Sequence, residues 1–198
     1  MEIIRSRDNY FDDVANFVIT LVSLTLAAEL YVTGTAARYA TNHRIQLDAK
    51  QAGRRLLIYP HTLLNEVFAL RWPSKLSFEE ERIHTPSDAV LKLGALERPP
   101  YALEQSMYVN YFERQRPSLE AKYGENITGL PEDWNFARVV RNSVAHGNAV
   151  FFHNSRAKSV SWRGLTYAPT DNRRRVMNGE LWAADLIYLM MDMDGHLK

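Results

Sequence analysis

The 198-residue chain contains no cysteine. A disulfide framework, a thiolate zinc site and a cysteine nucleophile are therefore excluded. The absence fits a reducing cytosol, so a cytoplasmic location is expected. There is no glycine-rich phosphate loop and no G-x-G-x-x-G. The six histidines lack zinc-ligand spacing, and no H-E-x-x-H occurs. No serine lies in a nucleophile elbow. No cofactor and no metal are expected. The N-terminal residues Met1 to Asp8 have no signal-peptide architecture. The apolar run Val14 to Val32 approaches the length of a membrane span, but Asn16, Thr20, Ser23, Thr25 and Glu29 interrupt it. It reads as a buried core helix, and no membrane partner is expected.

Charge of one sign is missing locally. From Arg138 to Arg175 there are eight cations and a single acid, Asp171. That stretch carries +7, which leaves −6 for the rest of a chain whose net charge is +1. A basic segment of this kind suits a polyphosphate ligand.

Within it lies Arg138-Val-Val-Arg-Asn-Ser-Val-Ala-His-Gly147. At about 100° per residue, Phe136, Val139, Val140, Ser143 and Val144 share one half of a helical wheel. Arg138, Arg141, Asn142, Ala145 and His146 occupy the other. The valines face a core, so two arginines, an amide and an imidazole are displayed together. Gly147 suits the left-handed stop that ends many helices. A cation near a helix C-terminus is also favoured by the macrodipole alone, so Arg141 and His146 have a purely structural account as well.

The spacing Arg141-Asn142-x-x-x-His146 resembles the R-x4-6-H motif of the HEPN superfamily, which often has a polar residue just after the arginine. The resemblance implies a small helical bundle, usually a homodimer, and in many members a metal-independent ribonuclease. It points toward a plasmid- or phage-defence-associated branch, and hence toward an antitoxin-like partner. RNA is the expected substrate.

The chemistry fits the residues. RNA carries its own nucleophile, the 2′-hydroxyl. An imidazole serves as proton acceptor or donor near neutral pH. A guanidinium offers phosphate a permanently charged fork. His146 is then the proton-transfer residue, Arg141 the transition-state stabiliser and Asn142 the orienting group. Arg138 and the loop residues Arg173, Arg174 and Arg175 are expected to bind RNA. One helix supplies one imidazole, so the resemblance implies a composite site across a twofold axis. Two other readings stand beside cleavage: a non-catalytic RNA- or nucleotide-binding or dimerisation module, and a structural helical protein whose polar face is a dimer surface.

The expected fold is mainly α, a HEPN-like bundle in one domain over 1–198 with a small β-hairpin after the motif helix. About five to seven helices are expected. After the core helix, Thr35 to Ala49 continues it or forms a second one. Gln51 to Trp72 has helical spacing interrupted by Pro60, which kinks a helix or opens a new one. Glu79 to Arg82 reads as a solvated charge run. A helix follows from Thr85 to Pro99-Pro100, then Tyr101 to Arg116, stopped by Pro117. The hairpin pairs Ala149–Phe152 with Ser159–Trp162 across His153–Arg156, with Leu165–Tyr167 prolonging it. Asn178 caps a last helix, Gly179 to Met193.

Overall fold

The computed structural model describes residues 2–33, 39–84, 98–124 and 129–198. Among them are five α-helices and a four-stranded antiparallel sheet. The chain is mixed α and β, which corrects the expectation of a mainly α, HEPN-like bundle. Strand β1 (Glu2–Arg5) precedes helix α1 (Phe11–Thr33). Strands β2 (Ile45–Ala49) and β3 (Arg54–Ile58) form a hairpin, α2 (Pro60–Phe68) follows, and β4 (Lys75–Arg82) completes the sheet. The strand order is β1-β4-β3-β2.

The sheet replaces two expected helical stretches, and the reason is local. Segment 45–49 pairs with 54–58 around a turn containing Gly53, whose φ is +63°. Leu47 faces Leu56, and Asp48 faces Arg55 with a carboxylate–guanidinium contact of 2.5 Å. Leu56, Leu57 and Ile58 are consecutive and all buried, so β3 shows no alternation that would betray a strand. Pro60 takes the first turn of α2, where its missing N–H costs nothing. In β4, Leu76 and Phe78 are buried, while Lys75 and Ser77 face solvent. The supposedly solvated Glu79 and Glu80 lie in this strand. Glu79 accepts from the Tyr59 hydroxyl, and Glu80 from the Tyr188 hydroxyl at 2.8 Å.

Helix α3 spans Arg98–Tyr123 and runs through Pro117. An interior proline removes one hydrogen bond, at a cost of about 3 kcal/mol. Contacts beyond it hold the helix. Leu119 is buried, and Arg116 pairs with Glu120 at 2.6 Å. The Lys122 ammonium donates to the His196 carbonyl at 2.8 Å. Pro99 and Pro100 lie in the first turn of this helix. The helix expected from Thr85 lies largely outside the described residues. Tyr108, Tyr111 and Phe112 are core residues.

Helix α4 (Glu132–Ala145) is the motif helix, and α5 (Ala183–Gly195) closes the chain. The expected pairing of 149–152 with 159–162 does not form, and a different hairpin takes its place. Strand β5 (Val160–Trp162) pairs with β6 (Leu165–Tyr167), and Arg163 and Gly164 form the two-residue turn. Both have positive φ, +45° and +85°, as a type I′ turn requires. Ala149 bridges Arg175 instead of the 159–162 arm. The last helix starts at Ala183, because the Asp185 carboxylate accepts from the Trp182 N–H at 2.9 Å. Asn178 does not cap it.

The core joins these elements. Phe136 of α4 stacks on Tyr167 at 5.3 Å and on Trp162 at 5.9 Å. The buried Trp134 indole donates to the Met193 carbonyl at 3.0 Å. The Tyr108 hydroxyl donates to the Ala137 carbonyl at 2.9 Å. Helix α1 is long and apolar enough to cross a membrane by length and composition. A core helix passes the same test, and Phe11, Val14, Ala15, Phe17, Val18 and Val22 are buried here. This is compatible with a soluble chain.

Asp185 ties α5 to the sheet. Besides capping α5, it accepts from the N–H groups of Gln51 and Ala52, each at 2.9 Å. Asp185→Ala leaves those donors without their acceptor. A loss of about 2–4 kcal/mol is expected in urea unfolding at neutral pH. A loss below about 1 kcal/mol contradicts the role assigned to this carboxylate.

Candidate nucleic-acid interface

Helix α4 opens after Pro131 with Glu132 and Asp133 in its first turn, the favourable end for carboxylates. Trp134, Phe136, Ala137, Val139, Val140, Ser143 and Val144 are buried, so the apolar half of the wheel faces the core. The helix ends at His146. Gly147 and Asn148 follow with φ of +89° and +62°. The Asn148 N–H returns to the Ser143 carbonyl at 2.7 Å, the six-to-one bond of a Schellman stop. Asn148 also brackets Met177, accepting its N–H at 2.6 Å and donating to its carbonyl at 2.9 Å. The chain therefore leaves the helix in a fixed direction, and His146 is exposed at the corner.

A cleft of about 780 Å³ opens between α4 and residues 151–160. Asn135, Arg138 and Asn142 line it from the helix. Phe151, His153, Arg156 and Lys158 line it from the facing segment. That segment is anchored at Phe152, whose N–H donates to the Asn172 side chain at 2.7 Å. Asn154 accepts the Arg156 N–H at 2.9 Å, which sets the turn. Phe151 is 53% exposed, and its ring meets that of His153 edge-on at 4.6 Å. The charged lining is Arg138, Arg156 and Lys158 against Glu132. None of the three cations forms an ion pair among the described residues.

The expected site residues separate into groups. Arg138 is half-buried, and its Nε is enclosed without a hydrogen-bond partner. Burial lowers its affinity for a proton from the ordinary arginine value. A guanidinium held dry without a counter-ion is a natural anion site. Arg141 turns the other way: it pairs with Glu113 of α3 at 2.5 Å and donates to Asn142 Oδ1 at 3.2 Å. Glu66 lies beside a small cavity between α2 and β4. His146 does not line the cleft.

Arg173 is exposed, with no ion pair among the described residues. Its N–H donates to the Val150 carbonyl at 2.9 Å, which places it beside the cleft wall. Arg174 is occupied by Glu180 and Asp171 and lies over the Tyr167 ring. Arg175 Nε donates to the Met177 carbonyl at 3.3 Å. His153 and Phe151 were not singled out from the sequence. Arg156 and Lys158 were visible only as part of the local excess of cations. Among the described residues no three His, Cys, Asp or Glu side chains converge as metal ligands.

No family model, curated protein or solved structure matches this chain.

One further titratable group lies on α3, next in sequence to a residue that bonds the end of α4. Gln105 of α3 donates to the Val144 carbonyl at 3.2 Å, and Glu104 precedes it. One Glu104 oxygen is enclosed without a partner, and burial raises the carboxyl to about 7. A carboxyl raised above its unfolded value costs nothing while both states are protonated, and its full cost appears once both are ionised. Wild-type stability should therefore fall, relative to Glu104→Gln, as pH rises from about 4.5 through about 7. The expected difference is about 2–3 kcal/mol at pH 8, read by urea unfolding across pH. Parallel curves for the two proteins contradict an enclosed Glu104 oxygen without a partner.

Proposed function

We propose that this protein is an endoribonuclease that cleaves RNA without a metal, by attack of the 2′-hydroxyl on the adjacent phosphate. The observation that carries the reading is Arg138, a half-buried guanidinium with no counter-ion among the described residues, facing a basic cleft on the same helix that ends in the exposed His146. The residue roles follow the R-x4-6-H motif that Arg141 and His146 resemble. The bundle architecture of that family is not part of the proposal.

In the reaction the 2′-oxygen forms a bond to phosphorus and the bond from phosphorus to the 5′-oxygen breaks. A base takes the 2′-hydroxyl proton, and an acid gives one to the departing 5′-oxygen. The products are a 2′,3′-cyclic phosphate and a 5′-hydroxyl. His146 transfers the proton, Arg141 neutralises charge growing on the phosphoryl oxygens, and Asn142 orients the phosphate. Arg138 binds the strand and Arg173 extends the contact, with Arg174 and Arg175 joining if they leave Glu180 and the Met177 carbonyl. Acid and base are both needed and one chain offers one motif imidazole, so two α4 ends meeting across a twofold axis complete the site. Such an enzyme belongs in the cytoplasm, and a toxin or defence role would require an antitoxin-like partner.

A second reading is favoured by the contact between Arg141 and Glu113. A guanidinium already neutralised stabilises a transition state less, which fits a module that binds RNA or nucleotide without cutting.

The test is RNA incubated with purified protein in EDTA. Cleavage giving cyclic phosphate ends is expected, with a loss of about a hundredfold or more in both His146→Ala and Arg141→Ala. Equal rates in wild type and both variants overturn the proposal. Salt-sensitive binding with no cleavage over long incubation selects the second reading.

A further inference from the structure

The end of α2 leaves three large apolar side chains in solvent. Phe68 is 71% exposed, Leu70 96% and Trp72 52%. Leu70 also has a φ of +57°, in the left-handed region that favours glycine. The geometry explains why that conformation is required. The Arg71 N–H donates to the Glu66 carbonyl and the Leu70 N–H to the Val67 carbonyl, each at 3.0 Å. This is a Schellman stop, with leucine where glycine is usual. The side chain strains the backbone and buries nothing within the chain. Folding alone gives no reason for a leucine here.

The surroundings are basic. Arg71 lies between Leu70 and Trp72, and Lys75 follows. Arg5 is directly opposite Lys75 in the β1–β4 pair, and the Ser6 N–H donates to the Ser74 carbonyl at 2.9 Å. Arg5 and Arg7 are thereby held beside the same tip. All four cations are exposed, and none forms an ion pair among the described residues. The nearby acids are Asp8, which accepts from the Arg5 N–H at 2.8 Å, Asp12, which accepts from the Trp72 indole at 3.3 Å, and Glu66, which shares a cavity lining with Lys75. The balance of these seven groups is +1.

We propose that this tip docks on an anionic lipid surface, with Phe68, Leu70 and Trp72 entering the headgroup boundary while Arg5, Arg7, Arg71 and Lys75 meet the lipid charges. Apolar side chains ringed by unpaired cations are the composition that such a surface selects. A second copy of the chain would bring like charges together across a twofold axis. An RNA strand would find aromatic rings to stack on but no use for an aliphatic leucine. Sequence reading expected no membrane partner because no span was convincing, but peripheral docking needs none. The expected affinity is modest, since three side chains and a net charge of this size make a weak anchor.

The test is sedimentation of the full chain with phosphatidylcholine vesicles, with and without roughly one third phosphatidylserine. Trp72 fluorescence is followed in parallel in a Trp182→Phe background, since Trp134 and Trp162 are buried and Trp182 is half-buried. Binding to the anionic vesicles alone is expected, with a blue shift and quenching by brominated lipid. Leu70→Gly separates docking from folding: it relieves the left-handed leucine, so stability should hold or rise while vesicle binding drops. Reversing Arg71 and Lys75 should weaken binding by about fivefold for each charge removed. No binding at low salt, or binding unchanged in Leu70→Gly, overturns the proposal. So does a dimer that Leu70→Gly dissociates, or an RNA complex that it weakens, because either would make the tip a protein or nucleic-acid contact.

Discussion

Helix α4 can bury only one stripe, and that stripe is committed. Trp134, Phe136, Ala137, Val139, Val140, Ser143 and Val144 are all inside, against α3, α5 and the β5–β6 hairpin. Each large apolar group contributes on the order of 1.5–3 kcal/mol by leaving water. Rotating the helix to present another face would expose several of them at once. The polar remainder is therefore fixed in direction by packing that has nothing to do with chemistry. Arg138 and Asn142 must face the 151–160 segment, and Arg141 must face α3.

Electrostatics divides the motif arginines. Arg141 finds Glu113 at once, and the ion pair holds it at the helix margin. Arg138 finds no carboxylate among the described residues, although most of its surface is withdrawn from water. A cation in that state is costly, and an anion entering the cleft offsets the cost. Arg156 and Lys158 add charge on the opposite wall, carried there by a turn built on Asn154. The cleft thus owes its sign to residues from two segments, only one of which is helical.

Much of this was legible. The α4 stripe follows from spacing alone, and Gly147 marked the stop because only a left-handed residue continues the chain there. Pro60 opened α2 as its fixed φ allows. The sheet was missed for physical reasons. In β3 the run Leu56-Leu57-Ile58 is buried throughout, so it has no period of two. Joined across Pro60 to Leu63 and Leu64, it imitates a helical face. In β4 the alternation of Leu76 and Phe78 was real, but the glutamates that follow hid it. Pro117 failed to stop α3 because contacts with the end of α5 outweigh one lost hydrogen bond. His153 and Phe151 belong to the cleft only through tertiary pairing at Asn172, which no local pattern announces.

The central claim is that Arg138 stands ready for a phosphate. The most direct measurement is the salt dependence of single-stranded RNA affinity in wild type and Arg138→Gln. If the guanidinium neutralises one phosphate, the slope of log affinity against log salt should become shallower by about 0.7 in the variant. Equal slopes would mean that Arg138 touches no phosphate, and the cleft would lose its claim to be the RNA site.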